Sequence, residues 1–301
     1  MASYQISIPG SGNSREAGQM RTLLNDQLAL LEQTGLSCRL QEADQGNRTL
    51  FLFSHPKAGK KKEGLPRFLG IAVAEYLLSV NEPNFIRHII KKQFRYRDPE
   101  DSREIERYTF DLLNDSESEE PVCRRRKDRM ARQVAQYLTQ HRSVAVDGFF
   151  RFRMKRYRNG LVKLVEHAID EYLLDQEYRE FIELLRYFVS VQEPKLNLVH
   201  VLHTGRRQFR LLDEEGEPLR TKELDESVQE LMEQPFSHED LIVSTLLTIA
   251  PEQVVLHTQN REENVIRTLE QVFETRISVC DGCSGCQPHF RRRGEGTTPK
   301  G

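Results

Sequence analysis

Tryptophan is absent from the 301 residues, cysteine occurs only five times, and long apolar runs are missing. A membrane-spanning helix needs about 20 consecutive apolar residues. The mean hydropathy of −0.62 indicates a largely hydrated surface. The N-terminal residues show no basic cluster followed by an apolar segment, which is the pattern of a secretory signal. We therefore expect a cytoplasmic protein without a membrane span.

The chain also lacks an excess of either positive or negative charge. The chain has 44 basic and 46 acidic residues, which leave a formal net charge of −2. This balance excludes a protein that is attracted as a whole to nucleic acid or to anionic lipid. Binding to either would have to come from a local cluster of charges.

The few cysteines are unevenly placed. Three lie within residues 280–286, whereas Cys38 and Cys123 stand far from them and from each other. An odd number in this arrangement does not fit the disulfide framework of a secreted domain. We expect a reducing compartment.

The spacing of apolar residues predicts an α+β chain in four parts. Residues 1–60 form a small α/β lobe with strands around Ile6–Ile8, 38–41 and 49–53. Residues 64–195 have helical periodicity throughout and form a helical bundle. Residues 196–290 form a C-terminal α/β region, a β-meander followed by a strand–helix–strand (βαβ) unit. Residues 291–301 are expected to be a disordered tail.

Two local features refine this fold prediction. Pro83 is expected to end the first helix of the bundle, because proline has no N–H to donate within a helix. In the βαβ unit, the crossover between residues 253–257 and 276–280 is long enough for the two strands to pair in parallel. Parallel pairing would place Cys280 beside His257 at the carboxyl edge of the sheet.

The helical centre carries a separated charge pattern. Residues 98–120 contain ten acidic residues and two arginines, whereas residues 121–160 contain twelve basic and two acidic residues. Aromatic residues lie among the second basic group, and single-stranded nucleic acid is bound by aromatic stacking and phosphate neutralisation. The candidate nucleic-acid residues are Arg124, Arg125, Arg126, Arg151, Arg153 and Arg156.

The alternative is that these charges satisfy one another within the bundle. The basic segment can pair with residues 98–120 or with residues 166–193, where eight acidic residues face two arginines. No helix-turn-helix or other nucleic-acid motif is present. We therefore favour internal pairing over nucleic-acid binding.

One group of residues near the C-terminus has the chemistry of a metal site. Cys280, Cys283 and Cys286 are each separated by two residues, and His289 follows three residues later. This spacing is used by zinc and iron–sulfur sites, and the two intervening glycines let the thiolates converge. Three cysteines and one histidine complete a tetrahedral zinc site, whereas an iron–sulfur cluster would need a fourth cysteine. A redox-active Cys-x-x-Cys pair and inert thiols are the alternatives.

Motifs for catalysis are missing. The chain has no Gly-x-Ser-x-Gly, no His-Glu-x-x-His and no nucleotide-binding glycine fingerprint. His200 and His203 lie on one predicted strand but on opposite faces, so they cannot readily bind one ion. Because no nucleophile, base and orienting group can be named together, we expect a binding protein rather than an enzyme.

Four segments carry a resemblance to a known family: residues 147–157 (DGFFRFRMKRY), 170–195, 239–257 and the cysteine run 280–286. Their order resembles the YtxC-like sporulation proteins of endospore-forming Gram-positive bacteria, over residues 75–286. The resemblance implies a cytoplasmic protein linked to spore formation, and it carries no catalytic residues.

These observations give a ranked set of functional hypotheses. The first is a non-catalytic interaction module that binds another protein of the sporulation programme. The second is a regulatory module that binds zinc or an iron–sulfur centre through the C-terminal cysteines. The third is a nucleic-acid binder that uses residues 124–158.

Overall fold

The computed structural model describes residues 2–55, 64–114, 122–203, 209–219 and 238–286. It confirms the predicted α+β class, with predominantly helical residues and two four-stranded mixed sheets in the described ranges. The predicted tail, residues 291–301, lies outside them. The chain divides into two compact units, residues 1–174 and 175–301. Across the described ranges, no helix combines the length and the apolar character needed to cross a membrane.

The first sheet belongs to the N-terminal lobe. Its strand order is β2-β3-β1-β4, with β1–β3 and β2–β3 antiparallel and β1–β4 parallel. The elements are β1 (Ala2–Pro9), α1 (Arg15–Gln33), β2 (Arg39–Asp44), β3 (Arg48–His55) and, much later in the chain, β4 (Ser143–Ala145).

Alternating apolar residues explain this lobe. Ile6 and Ile8 of β1 are fully buried, as are Phe51 and Phe53 of β3, because residues two apart share one face of a strand. Ser14 caps α1, where its Oγ accepts a hydrogen bond from Ala17 N–H at 3.2 Å. The buried face of α1 covers the same core.

The first helical stretch of the bundle runs farther than predicted. It consists of α2 (Gly64–Tyr76) and α3 (Glu82–His88), each followed by a π-helical turn, Leu77–Asn81 and Ile89–Gln93. The expectation that Pro83 ends the helix is wrong. Pro83 lies in the first turn of α3, where its missing N–H costs no intrahelical hydrogen bond. The π-helical turn Leu77–Asn81 before it keeps the chain helical.

The remaining helices of the bundle are α4 (Pro99–Asn114), α5 (Val122–His141), α6 (Val146–Arg153) and α7 (Lys155–Val191). Helix α5 packs closely on α2 at Gly70, where a Cβ atom would lie 2.6 Å from the carbonyl oxygen of Ala131. The boundary between the two compact units, after Leu174, falls inside α7.

The second sheet forms the centre of the C-terminal unit. Its strand order is β6-β5-β7-β8, with β5, β7 and β8 parallel and β6 antiparallel to β5. The elements are β5 (Leu198–His203), β6 (Phe209–Leu212), α8 (His238–Ile249), β7 (Gln253–His257), α9 (Asn264–Phe273) and β8 (Ile277–Val279). The predicted βαβ unit is therefore present, and β5 adds a parallel neighbour to it.

Candidate metal centre

The candidate site lies at the carboxyl edge of the second sheet. His257 is the last residue of β7, and Cys280 follows the last residue of β8. The Cys280 N–H donates to the Leu256 carbonyl at 2.9 Å, which continues the parallel pairing of the two strands. His257 and Cys280 are thus held side by side at the edge where open α/β sheets carry their ligands.

A tight turn brings the other two thiols to the same place. Gly282 has a φ of +110°, a conformation that residues with a side chain rarely adopt. The turn directs two backbone N–H groups, those of Gly282 and Cys283, at the Sγ of Cys280, each at 3.3 Å. These two contacts fix the position of the Sγ atom, and the thiolate is the form of cysteine that binds metals.

Four donor atoms converge. One atom each of His257, Cys280, Cys283 and Cys286 lies within 4.8 Å of all the others, and the Cys283 Sγ is 3.8 Å from His257 Nδ1. Zinc bonds of about 2.3 Å to sulfur and about 2.0 Å to nitrogen put tetrahedral ligand atoms about 3.5–3.8 Å apart. A small contraction of this cluster therefore yields the geometry of a tetrahedral zinc site.

The electrostatic surroundings differ among the ligand candidates. The backbone N–H of Cys286 is the main reason why the pKa of Cys283 is lowered. Burial raises the pKa of Cys286 to about 11. Burial, and then the neighbouring His200, lower the pKa of His257, so its ring is neutral at pH 7 and has a lone pair for a metal.

Two further histidines support this edge. His200 Nδ1 lies 3.1 Å from His257 Nε2. His203 is buried, with Nδ1 2.8 Å from Thr258 Oγ1 and Nε2 3.1 Å from Glu263 Oε2. The two side chains serve different partners, as their odd spacing on β5 predicts. Sequence reasoning gave neither residue a role, because their partners lie 55 or more residues away in the chain.

The fourth ligand predicted from the sequence is His289, and no ligand role is predicted for the two remaining cysteines, Cys38 and Cys123. His289 lies outside the described residues, and within them His257 is the histidine that joins the three thiols. Cys38 belongs to the N-terminal unit and has a free thiol. The side chain of Cys123 is not among those described.

The candidate nucleic-acid arginines do not form one cluster of equivalent side chains. Arg126 is largely buried, 3.3 Å from Glu82 and 3.2 Å from the Tyr157 hydroxyl. Arg151 lies over the ring of Phe152 and Arg153 over the ring of Tyr137. These two arginines are exposed, as are Arg124, Arg125 and Arg156.

Ion pairs of the basic segment involve acidic residues that the sequence had not suggested. Arg126 pairs with Glu82 of α3, and Lys127 pairs with Glu75 of α2. In α4, Glu106 pairs with Arg87 at 2.9 Å instead. Helix α5 is therefore paired with the first helical stretch of the bundle, because α2 packs directly against it.

The fold and the site together define a mixed α+β protein with a cluster of three cysteines and one histidine at a parallel sheet edge. Residues 67–278 match the YtxC-like family, and the chain belongs to this family. The predicted family is thus confirmed over these residues. The match ends before Cys280, so the three thiols lie beyond it, whereas His257 lies within it.

A relative from Bacillus subtilis (strain 168), "Uncharacterized protein YtxC", is 25% identical over 247 residues. The alignment covers 80% of this chain and 87% of the relative. No solved structure matches the chain.

Proposed function

We propose that the C-terminal unit is a zinc-binding module in which His257, Cys280, Cys283 and Cys286 hold one Zn²⁺ ion. The observation that carries this proposal is the convergence of their four donor atoms within 4.8 Å. With four protein ligands the coordination shell is closed, as in structural zinc sites. Zinc would then tie the residues after β8 to the end of β7 and stabilise the sheet edge.

The same geometry favours zinc over an iron–sulfur cluster and over a redox-active cysteine pair. An iron–sulfur cluster separates its cysteine ligands by the cluster itself and takes four thiolates in the common forms, whereas these four donors surround the volume of a single ion. A redox pair would use Cys280 and Cys283 alone. A metal would also give His257 and Cys286 a role, which a redox pair of Cys280 and Cys283 leaves unassigned.

Elemental analysis of the purified full-length protein tests the proposal. We expect about one zinc ion per chain, and clear loss of zinc in Cys283→Ser and His257→Ala. Cys38→Ser is the matched control and should retain the metal. Co²⁺ substitution adds a second readout, since thiolate ligation gives intense charge-transfer absorption.

The outcomes separate the alternatives. If His289→Ala loses zinc and His257→Ala retains it, His289 is the fourth ligand in place of His257. Iron and sulfide in place of zinc would establish a cluster. No metal together with a Cys280–Cys283 disulfide under mild oxidation would favour the redox hypothesis, and no metal with unreactive thiols would leave them inert.

We also propose, as a second function, that the protein is a non-catalytic interaction protein of the sporulation programme in the cytoplasm. The resemblance supports the cellular role, and an apolar stripe on α7 supports the interaction. Five large apolar side chains of the C-terminal unit are between 48% and 66% exposed: Phe181, Leu184, Tyr187, Phe188 and Val191. Spacings of three and four residues place them on one helix face.

The surroundings of this stripe indicate the chemistry of its partner. Glu177, Glu180 and Glu183 lie beside it on the same helix and are exposed. An amphipathic helix with apolar residues on one face and Lys or Arg along its flanks complements both features. We therefore propose a basic amphipathic helix of another protein as the occupant.

Affinity capture from sporulating cells tests the second function. The wild type should retain a protein whose binding segment, mapped by truncation, is a basic amphipathic helix. Phe181→Glu with Leu184→Glu should lose it, and Leu30→Glu, at an exposed leucine of α1, should keep it. Identical captured proteins for all three baits, or an unaltered number of heat-resistant spores after gene deletion, would contradict the proposal.

A further inference from the structure

A basic pocket of about 370 Å³ lies in the N-terminal unit, between the helical stretch 85–93 and the first turns of α7. Its volume is in the range of small-molecule sites, about 300–1,000 Å³. Neither the candidate metal centre nor the apolar stripe of α7 includes any of its residues.

The pocket is built from two matching helix faces. Phe85, His88, Ile89 and Lys92 lie at positions i, i+3, i+4 and i+7 of the first face, and Lys155, Arg158, Asn159 and Val162 repeat this spacing on the second. The π-helical turn Ile89–Gln93 contributes to one wall. Turns of this kind widen a helix locally and are frequent at functional sites.

Positive charge in this pocket is not neutralised by nearby acidic side chains. Lys92, Lys155 and Arg158 supply this charge, no carboxylate lines the pocket, and none of the three forms an ion pair within the described part of the chain. Adjacent basic residues behave differently, as the Arg87–Glu106 pair shows. Like charges in a concave surface focus a positive potential and attract an anion.

The pocket also has an apolar floor and a fixed cation. Phe85, Ile89 and Val162 supply the floor. The Arg158 guanidinium lies 4.4 Å from the centroid of the Phe85 ring and donates to the Arg151 carbonyl at 3.0 Å. These contacts hold Arg158 in place before any ligand arrives, which reduces the entropy lost on binding.

We propose that this pocket binds an organic phosphate of nucleotide size. Lys92, Lys155 and Arg158 hold the phosphoryl group, and the planar or apolar body packs against Val162, beside the Arg158 guanidinium that covers the Phe85 ring. Phosphate fits because it accepts several charge-assisted hydrogen bonds at once. The phosphoryl group belongs either to a free mononucleotide or to the 5′ end of a nucleic-acid strand.

Titration calorimetry with adenosine 5′-monophosphate, adenosine and inorganic phosphate tests the proposal on the full-length protein. We expect the monophosphate to bind and adenosine to bind at least about tenfold more weakly. The double variant Lys92→Gln with Lys155→Gln should lose at least about tenfold in affinity for the monophosphate. Arg158 is left unchanged because its stacking contacts contribute to the fold.

A matched control separates the pocket from general charge effects. Lys91→Gln with Lys163→Gln removes the same charge from the same two helical stretches, next to the pocket but not in its lining. This control should bind within about twofold of the wild type. No binding of the monophosphate by the wild type, or equal losses in both double variants, would overturn the proposal.

Single-stranded oligonucleotides distinguish the sources of the phosphoryl group. A 5′-phosphorylated strand that competes with the monophosphate and depends on Lys92 and Lys155 identifies a strand end as the ligand. Failure of such a strand to compete identifies the free nucleotide. Oligonucleotide binding that needs no 5′-phosphate and is lost in Arg151→Gln with Arg156→Gln, without monophosphate binding, would overturn the pocket in favour of an extended nucleic-acid surface.

Discussion

Nδ1 of His200 lies 3.1 Å from Nε2 of His257, and Nδ1 of His257 faces the Cys283 thiol at 3.8 Å. If Nδ1 of His257 binds the metal, its Nε2 carries the proton and donates to His200. A hydrogen bond of this kind orients a metal-binding histidine and increases its basicity. His200 is therefore a positioning residue for the proposed zinc site.

The first prediction concerns this contact. His200→Ala should weaken zinc binding by about 10- to 100-fold, because the His257 ring loses its acceptor and its fixed orientation. Competition with a chromophoric chelator measures the affinity. His167→Ala, at an exposed histidine of α7, is the control and should have no effect. Equal affinities in the wild type and His200→Ala would show that the contact does not support a metal ligand.

The second prediction concerns the turn between the cysteines. Gly282→Ala should lower zinc affinity by about tenfold, because a φ of +110° costs a residue with a Cβ atom about 1–2 kcal/mol. Gly216 also has a positive φ, +81°, but lies outside the cluster. Gly216→Ala should destabilise its own turn and leave zinc affinity unchanged. If both variants bind zinc like the wild type, the turn does not preorganise the thiols.

Much of the candidate metal centre can be predicted from the sequence, because the relevant signals lie within short segments of the chain. The spacing of Cys280, Cys283 and Cys286 and the intervening glycines indicate converging thiolates without knowledge of the fold. The helical crossover predicts parallel β7 and β8, which places Cys280 beside His257. The role of His200 does not follow, because it depends on β5 lying next to β7, a pairing between segments far apart in the chain.

In the fold as well, elements with a clear local pattern can be predicted from the sequence, whereas features that depend on distant residues or leave no local signal cannot. Alternation in residues 49–53 and the helical spacing after Leu161 identify a strand and a helix directly. Strand β4 has only three residues, too few to show alternation, and it pairs with β1, which lies far from it in the chain. The continuation through Pro83 depends on a π-turn, for which the local sequence gives no signal.

The third prediction concerns the ion pair between Arg48 of β3 and Asp147 of α6, 2.6 Å apart. The hydrogen bond from Arg48 is the main reason why the pKa of Asp147 is lowered. A carboxyl group with a lowered pKa stabilises the fold above its unfolded pKa, about 3.9, and this contribution is lost as the pH falls through the folded value.

Asp147→Asn should therefore lower the free energy of unfolding by about 0.5–1 kcal/mol at neutral pH, a small value because the pair is partly exposed. The difference from the wild type should disappear in strong acid. Urea titrations across this pH range measure it, with Asp26→Asn as control, since Asp26 is exposed and forms no ion pair with any of the described residues. A difference that persists unchanged in acid would show that the ion pair is not its source.

The fourth prediction concerns the contact of α2 with α5. Gly70→Ala should lower the free energy of unfolding by about 1–3 kcal/mol, because the new Cβ would lie 2.6 Å from the Ala131 carbonyl oxygen and force the helices apart. Gly160→Ala in α7 is the matched control, since among the described residues no heavy atom beyond its own stretch of helix lies within 4 Å of the Cβ position, and it should stabilise the protein by about 0.5–1 kcal/mol. Urea unfolding measures both variants. Stabilisation in Gly70→Ala would contradict the close packing of the two helices.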